Sequence, residues 1–179
     1  MNTPATADAP IDDFSQCHAG IFRKLDMLGE LPALLQPAAR AREVAEKALD
    51  FFREAIFEHH LDEERELFPA VIESAEAGEE REQVKAMARR LTDEHRELER
   101  LWKSLESGLK KVAKGQFSDV IDVATIEALV SRYRAHAEFE EQAFLPLSQQ
   151  ILGRNANHMA ALGMSLHMRH ARGPLNAYV

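Results

Sequence analysis

From Ile11 onward, apolar residues recur at spacings of three and four, and no stretch alternates with period two for any length. Ala, Leu, Glu, Arg and Lys dominate, all strong helix formers, so the chain is expected to be all-α. Ile11, Phe14, His18, Ile21, Leu25 and Leu28 fall on one stripe of a first helix, which the segment Pro32 to Pro37 is expected to interrupt. A second helix should run from about Ala38 into the seventies, kinked at Pro69, with Gly78 at its end. A third is expected from about Glu79 to Lys114, followed by a turn at Gly115 and an N-cap at Ser118 or Asp119. The fourth should span about Asp119 to Gln150. Gly153 and Asn155 precede a short amphipathic helix, about Ala156 to Ala171, which Gly173 and Pro174 close.

Long helices with short connections pack as an up-down-up-down four-helix bundle whose interior can host a metal site. The chain then divides into a mobile tail rich in Pro, Ala and Thr (1–10), the bundle (11–150) and a C-terminal extension helix (151–179).

Length and charge narrow the function classes. At 179 residues the chain fits a single domain with a sizeable core. A net charge of -8 argues against nucleic acid or an anionic membrane surface as partner, and for a small or cationic ligand. Cys17 is the only cysteine, so neither an intrachain disulfide nor zinc-ribbon or dithiol chemistry is available. The start, MNTPATADAP, has neither the basic segment nor the apolar run of a signal peptide, and no stretch approaches the roughly 20 apolar residues that span a bilayer. A cytoplasmic location is expected.

The candidate chemistry lies in two similar segments, HHLDEERELFP around His59 and HAEFEEQAFLP around His136. Aligning Pro69 with Pro146 pairs His59 with His136, Glu63 with Glu140 and Glu64 with Glu141, each 77 residues apart, and the same offset carries His18 onto His95. The chain thus holds an internal pseudo-repeat, a histidine followed 41 residues later by His-x-x-x-Glu. Residues i and i+4 share a helix face, so each imidazole and carboxylate can converge on one point. Two such pairs on helices two and four, with one histidine each from helices one and three, give four imidazoles and two carboxylates about a pseudo-two-fold axis. That set suits a dinuclear site, because a carboxylate can bridge two cations and offset their repulsion. Imidazole and carboxylate without thiolate suit iron, and manganese or zinc accept the same ligand types.

The pattern H…HxxxE…H…HxxxE, with each HxxxE inside a stretch like HxxxEExxLFP, resembles the hemerythrin-like, or HHE cation-binding, domain over about Ile11 to Gln150. The tail ALGMSLHMRHAR is similar to the C-terminal extension of some bacterial members. The resemblance implies a non-haem centre of two Fe ions joined by an oxo or hydroxo bridge. His18, His59, His95 and His136 would be terminal ligands, and Glu63 and Glu140 bridges. Each iron would have about five ligands and keep an open position for dioxygen, peroxide or nitric oxide. Oxygen-carrying members have a second histidine four residues from the third-helix one, where this chain has Leu91 and Glu99. The four-His, two-Glu set is instead similar to that of repair and sensor members, including those that restore damaged iron–sulfur centres. Redox sensing, detoxification or repair is therefore expected ahead of reversible oxygen storage or an iron-responsive interaction bundle.

Neighbouring residues carry plainer readings. His60 matches Ala137 in the repeat and is expected beside the site or on the surface rather than as a ligand. Glu64 and Glu141 are either acceptors that orient ligand imidazoles or ordinary surface charges. Glu99 is expected to pair with Arg96 or Lys103, Cys17 to pack as a small hydrophobe, and His158, His167 and His170 to lie on the tail. Phe14, Phe22, Phe51, Phe52, Phe57, Phe68, Trp102 and Phe144 are expected mainly in the core.

Overall fold

The computed structural model describes residues 9–52, 56–117 and 121–154, with side chains from residue 20 onward. Its elements, in chain order, are α1 (Ala9–Phe51), α2 (Phe57–Asp62), α3 (Phe68–Ser74), α4 (Glu79–Ala113), α5 (Val123–Phe139) and α6 (Leu145–Leu152). Two π-helical turns, Glu63–Leu67 and Glu140–Phe144, join α2 to α3 and α5 to α6. The protein is an all-helical bundle, with no strand among the described residues. No described helix is long and apolar enough to cross a membrane.

Each π turn stands directly before a proline-containing first turn, at Pro69 in α3 and at Pro146 in α6. In a regular helix the proline ring crowds the carbonyl four residues back, and a widened turn relieves that contact. The backbone N–H of Phe68 accordingly donates to the Glu63 carbonyl, and that of Leu145 to the Glu140 carbonyl, both five residues back. The kink expected at Pro69 is thus a π turn that begins on a glutamate.

The N-terminal half differs from expectation. Helix α1 runs unbroken through Pro32 and Pro37 and replaces both the first helix and the start of the second. Every residue from 21 to 37 is exposed, so the carbonyls that the prolines leave without an N–H partner can bond to water, and the flanking Ala, Leu and Glu favour helix. Helix geometry includes Ala9 and Pro10, which were expected before the first helix; residues 1–8 lie outside the described part, as does the 156–171 helix with His158, His167 and His170. At the fourth helix the N-cap is Asp122 rather than Ser118 or Asp119. Its carboxylate accepts from the Ala124 N–H at 3.1 Å and from the Thr125 hydroxyl at 2.6 Å, which satisfies one of the unpaired donors at the helix start.

Two apolar clusters flank the middle of α4. Phe68, Val71, Val84, Ala88, Leu91, Phe144 and Ile151 form one, and Leu98, Trp102, Leu105 and Leu129 the other. On α4 the buried positions Leu91, His95, Leu98, Trp102 and Leu105 follow the three-and-four spacing of one inward stripe, which places His95 between the clusters. Phe52 stacks on Trp102 with ring centroids 4.1 Å apart, and the Arg42 guanidinium donates to the Ala113 carbonyl at 3.2 Å, so the C-terminal part of α1 runs antiparallel to α4. Phe22 and Phe51 are exposed, contrary to expectation, because α1 projects beyond the end of α4 or turns these rings outward; Phe14 lies outside the described side chains.

Candidate metal centre

Four of the expected ligands converge. One atom each from Glu63, His95, His136 and Glu140 lie within 4.8 Å of one another, and all four side chains are buried. The two π turns begin on these glutamates, and α4 and α5 supply the histidines. His95 Nε2 lies 3.3 Å from Glu63 Oε2, and His136 Nε2 lies 3.5 Å from Glu140 Oε1. His59 Nε2 approaches Glu63 Oε1 at 3.3 Å, the i,i+4 contact that the spacing predicts, but its ring is 50% exposed. His18 lies on the α1 backbone, outside the described side chains.

Six buried polar atoms here have no hydrogen-bond partner among the described residues: both ring nitrogens of His60, Glu63 Oε2, His95 Nε2, His136 Nε2 and Glu140 Oε1. Buried polar groups are normally paired, since each orphan costs about 1–3 kcal/mol. Here the orphaned atoms of Glu63, His95, His136 and Glu140 are lone-pair donors to a cation, and these four residues come together in one small volume. The residues present therefore fit a metal site.

The electrostatics suit a site that takes up positive charge. Burial and the neighbouring Glu63 carboxylate push Glu140 up to about 8. Burial also raises Glu63, but its contacts with His95 and His59 outweigh this and hold it below the ordinary carboxylate value. The two glutamates behave as a pair that retains one proton near neutrality. Burial drives His60 down to about 2 and lowers His136, so both imidazoles are neutral, as ligands must be.

Outer carboxylates fix two of the rings. Glu64 accepts from His95 Nδ1 at 2.9 Å and is itself held by Arg96 at 2.6 Å. Glu94 accepts from His136 Nδ1 at 3.0 Å and is held by Arg90 at 2.7 Å, whose guanidinium sits 3.7 Å from the Phe139 ring centroid. Each bond leaves Nε2 deprotonated and aimed inward. Glu64 thus takes the orienting role left open by the sequence, while Glu141 is exposed. Glu99 pairs with Arg96 and Lys103.

Sequence reasoning missed Glu94 and left His60 between two places. Glu94 directly precedes His95, about 100° round the helix, and its i,i+4 partner Arg90 gives it the look of a surface ion pair. His60 was expected beside the site or on the surface; it is fully buried, its ring stacked 3.8 Å from that of His95 and close enough to group with His95 and His136 as metal donors. Periodicity placed His59 inward and left His60 ambiguous. Replacing Glu94 with alanine should free the His136 ring and weaken metal binding about 10–100-fold in competition with a chelator. Unchanged affinity would mean that Glu94 plays no orienting part.

The profile of the hemerythrin HHE cation-binding domain matches residues 9–148. An uncharacterised protein of Haemophilus influenzae is 30% identical over 164 residues, covering 88% of this chain and 91% of its own. No solved structure matches. The shared pattern and the match over most of the chain establish that the protein belongs to the hemerythrin HHE cation-binding domain family.

Proposed function

We propose that the site holds two iron ions and that the protein reacts with dioxygen, peroxide or nitric oxide in a redox, detoxifying or repair role. The observation that carries this reading is the cluster of buried, unpartnered nitrogen and oxygen atoms on Glu63, His95, His136 and Glu140, with His59 at its edge. His18, His59, His95, His136, Glu63 and Glu140 would hold the ions, in a pseudo-two-fold four-helix bundle. Bound iron supplies one-electron chemistry toward a small ligand.

The chain's own groups prepare the site. Glu64 and Glu94 hold imidazoles in the ligating tautomer. Phe68, Leu91, Leu98, Trp102 and Phe144 exclude water above and below. Tyr133 lies 5.8 Å from the His136 ring, and burial with the Glu140 and Glu63 charges raises its hydroxyl to about 12, so it stays a proton donor. Leu91 is packed in the core and Glu99 sits in a surface ion pair, so neither replaces the extra histidine of oxygen carriers. This favours redox reaction over reversible oxygen storage.

Absorption spectra test the reaction class. The reduced, iron-loaded protein should change irreversibly on exposure to air, peroxide or nitric oxide. Full recovery of the starting spectrum after oxygen is removed would assign carriage instead.

A further inference from the structure

Five pairs of residues 77 positions apart differ in burial or bonding, and one explanation covers them all. Ile21, Leu25 and Leu28 of α1 are 47%, 54% and 60% exposed, yet the residues 77 positions on, Leu98, Trp102 and Leu105 of α4, are each only 3% exposed. His59 is half exposed, whereas its counterpart His136 is 2% exposed and covered by α4 through Glu94. Glu64 is bonded to His95 of α4, whereas its counterpart Glu141 is exposed. The apolar face that α4 buries is duplicated on α1 and left in solvent. Beside the place that such a helix would fill, His59 is half exposed and Glu141 exposed among the described residues.

The shape of α1 decides what fills it. The helix packs on α4 only through its C-terminal part, with Arg42 already level with Ala113, the last residue of α4. Residues 9 to about 37 therefore extend roughly 40 Å past that end at 1.5 Å per residue, and being helical through Pro32 and Pro37 they point away from their own metal centre. An arm that continues straight on past the end of α4 leaves its own bundle uncovered. A second copy offers a gap built for this stripe, because the α1 face repeats the pattern that α4 already seats against the same pair of rods.

We infer that the protein is a two-fold dimer made by exchanging the N-terminal half of α1, residues 9 to about 37. Each arm is the missing helix of the other bundle. It lays Ile21, Leu25 and Leu28 against the partner's core and brings His18 to His59 of the partner subunit, with Glu141 of the partner subunit as its orienting acceptor. The exchange is isologous and closes at two chains, and each completed metal centre draws on both. The part that concerns His18 rests on the proposed function; the dimer itself does not.

The mass of the full chain tests the exchange without metal. Sedimentation equilibrium should give twice the 20.2 kDa chain mass, and the triple substitution Ile21→Glu, Leu25→Glu, Leu28→Glu should give a helical monomer. A wild-type monomer, or a dimer that survives the triple substitution, overturns the inference. A second experiment separates exchange from an arm that folds back on its own bundle. His18→Ala chains and Glu63→Ala/Glu140→Ala chains, each weak in iron binding alone, are unfolded together, refolded and loaded. Exchange restores one intact centre per mixed dimer, about a quarter of the wild-type capacity for random pairing. No gain over the separate variants, while the wild type binds iron, overturns the exchange. Absence of iron in the wild type would sink the proposed function and leave the mass to decide the dimer.

Discussion

A Glu140→Gln protein should lose its iron while its metal-free form becomes harder to unfold. Glu140 is buried against Glu63 and held up to about 8 by burial and by that carboxylate's charge. Without metal, the pair must either take up a proton on folding or, above about pH 8, become a like-charge contact in a region that cannot solvate it. The amide keeps the shape and removes the charge. It also removes a negative oxygen that would hold the metal, so binding should weaken at least about 100-fold and the iron content of purified protein should fall to near zero. The chelated variant should melt above the chelated wild type, most clearly at pH 8 and above, by about 2–4 °C per kcal/mol recovered. Metal analysis and thermal melts in chelator decide both halves. Wild-type iron content in the variant, or a lower melting temperature of its metal-free form, would contradict the placement of the glutamate pair.

The metal-free and metal-loaded proteins should also respond differently to pH, the first losing stability as pH rises and the second holding level. Glu140 has a folded value near 8, above the ordinary 4.5, so its contribution is full below 4.5 and is lost as pH rises toward 8. His60 is depressed from 6.5 to about 2, so burying it neutral costs stability only below 6.5, and lowered His136 acts in the same sense. Between 4.5 and 6.5 the two effects oppose each other. From 6.5 to 8, of these three groups, the Glu140 effect acts without opposition, and the metal-free protein should lose about 2 kcal/mol. Metal binding expels that proton, so affinity rises over the same window. Urea midpoints at pH 6.5 and 8, with and without iron, should therefore diverge. Parallel shifts would show that the buried pair does not retain a proton in the metal-free state.

How much of this could be read from the chain follows from what fixes each feature. The convergence of Glu63, His95, His136 and Glu140 was legible because i,i+4 spacing and the 77-residue offset constrain which residues share a face, whatever the helix ends do. Residues 79–113 were legible as one helix because Gly78, at φ 112°, and Gly115, at φ 79°, mark its limits with backbone conformations that favour glycine. The path of α1 was not legible. Pro32 and Pro37 argue for a break, but proline cost depends on whether the freed carbonyls can reach water, and that depends on whether the segment is packed. Glu94 was hidden for a related reason: Arg90 satisfies it locally, and only the position of α5 reveals that its second oxygen reaches His136. The sequence stripe also says that a face is apolar without saying which molecule covers it.

The most direct test of the account is the metal content of protein purified from iron-supplied cells, measured beside its His59→Ala and Glu140→Ala variants. About two irons per wild-type chain, falling to near zero in both variants, is the predicted result. Metal-free wild-type protein, a single iron per chain, or a count that neither substitution changes would contradict it.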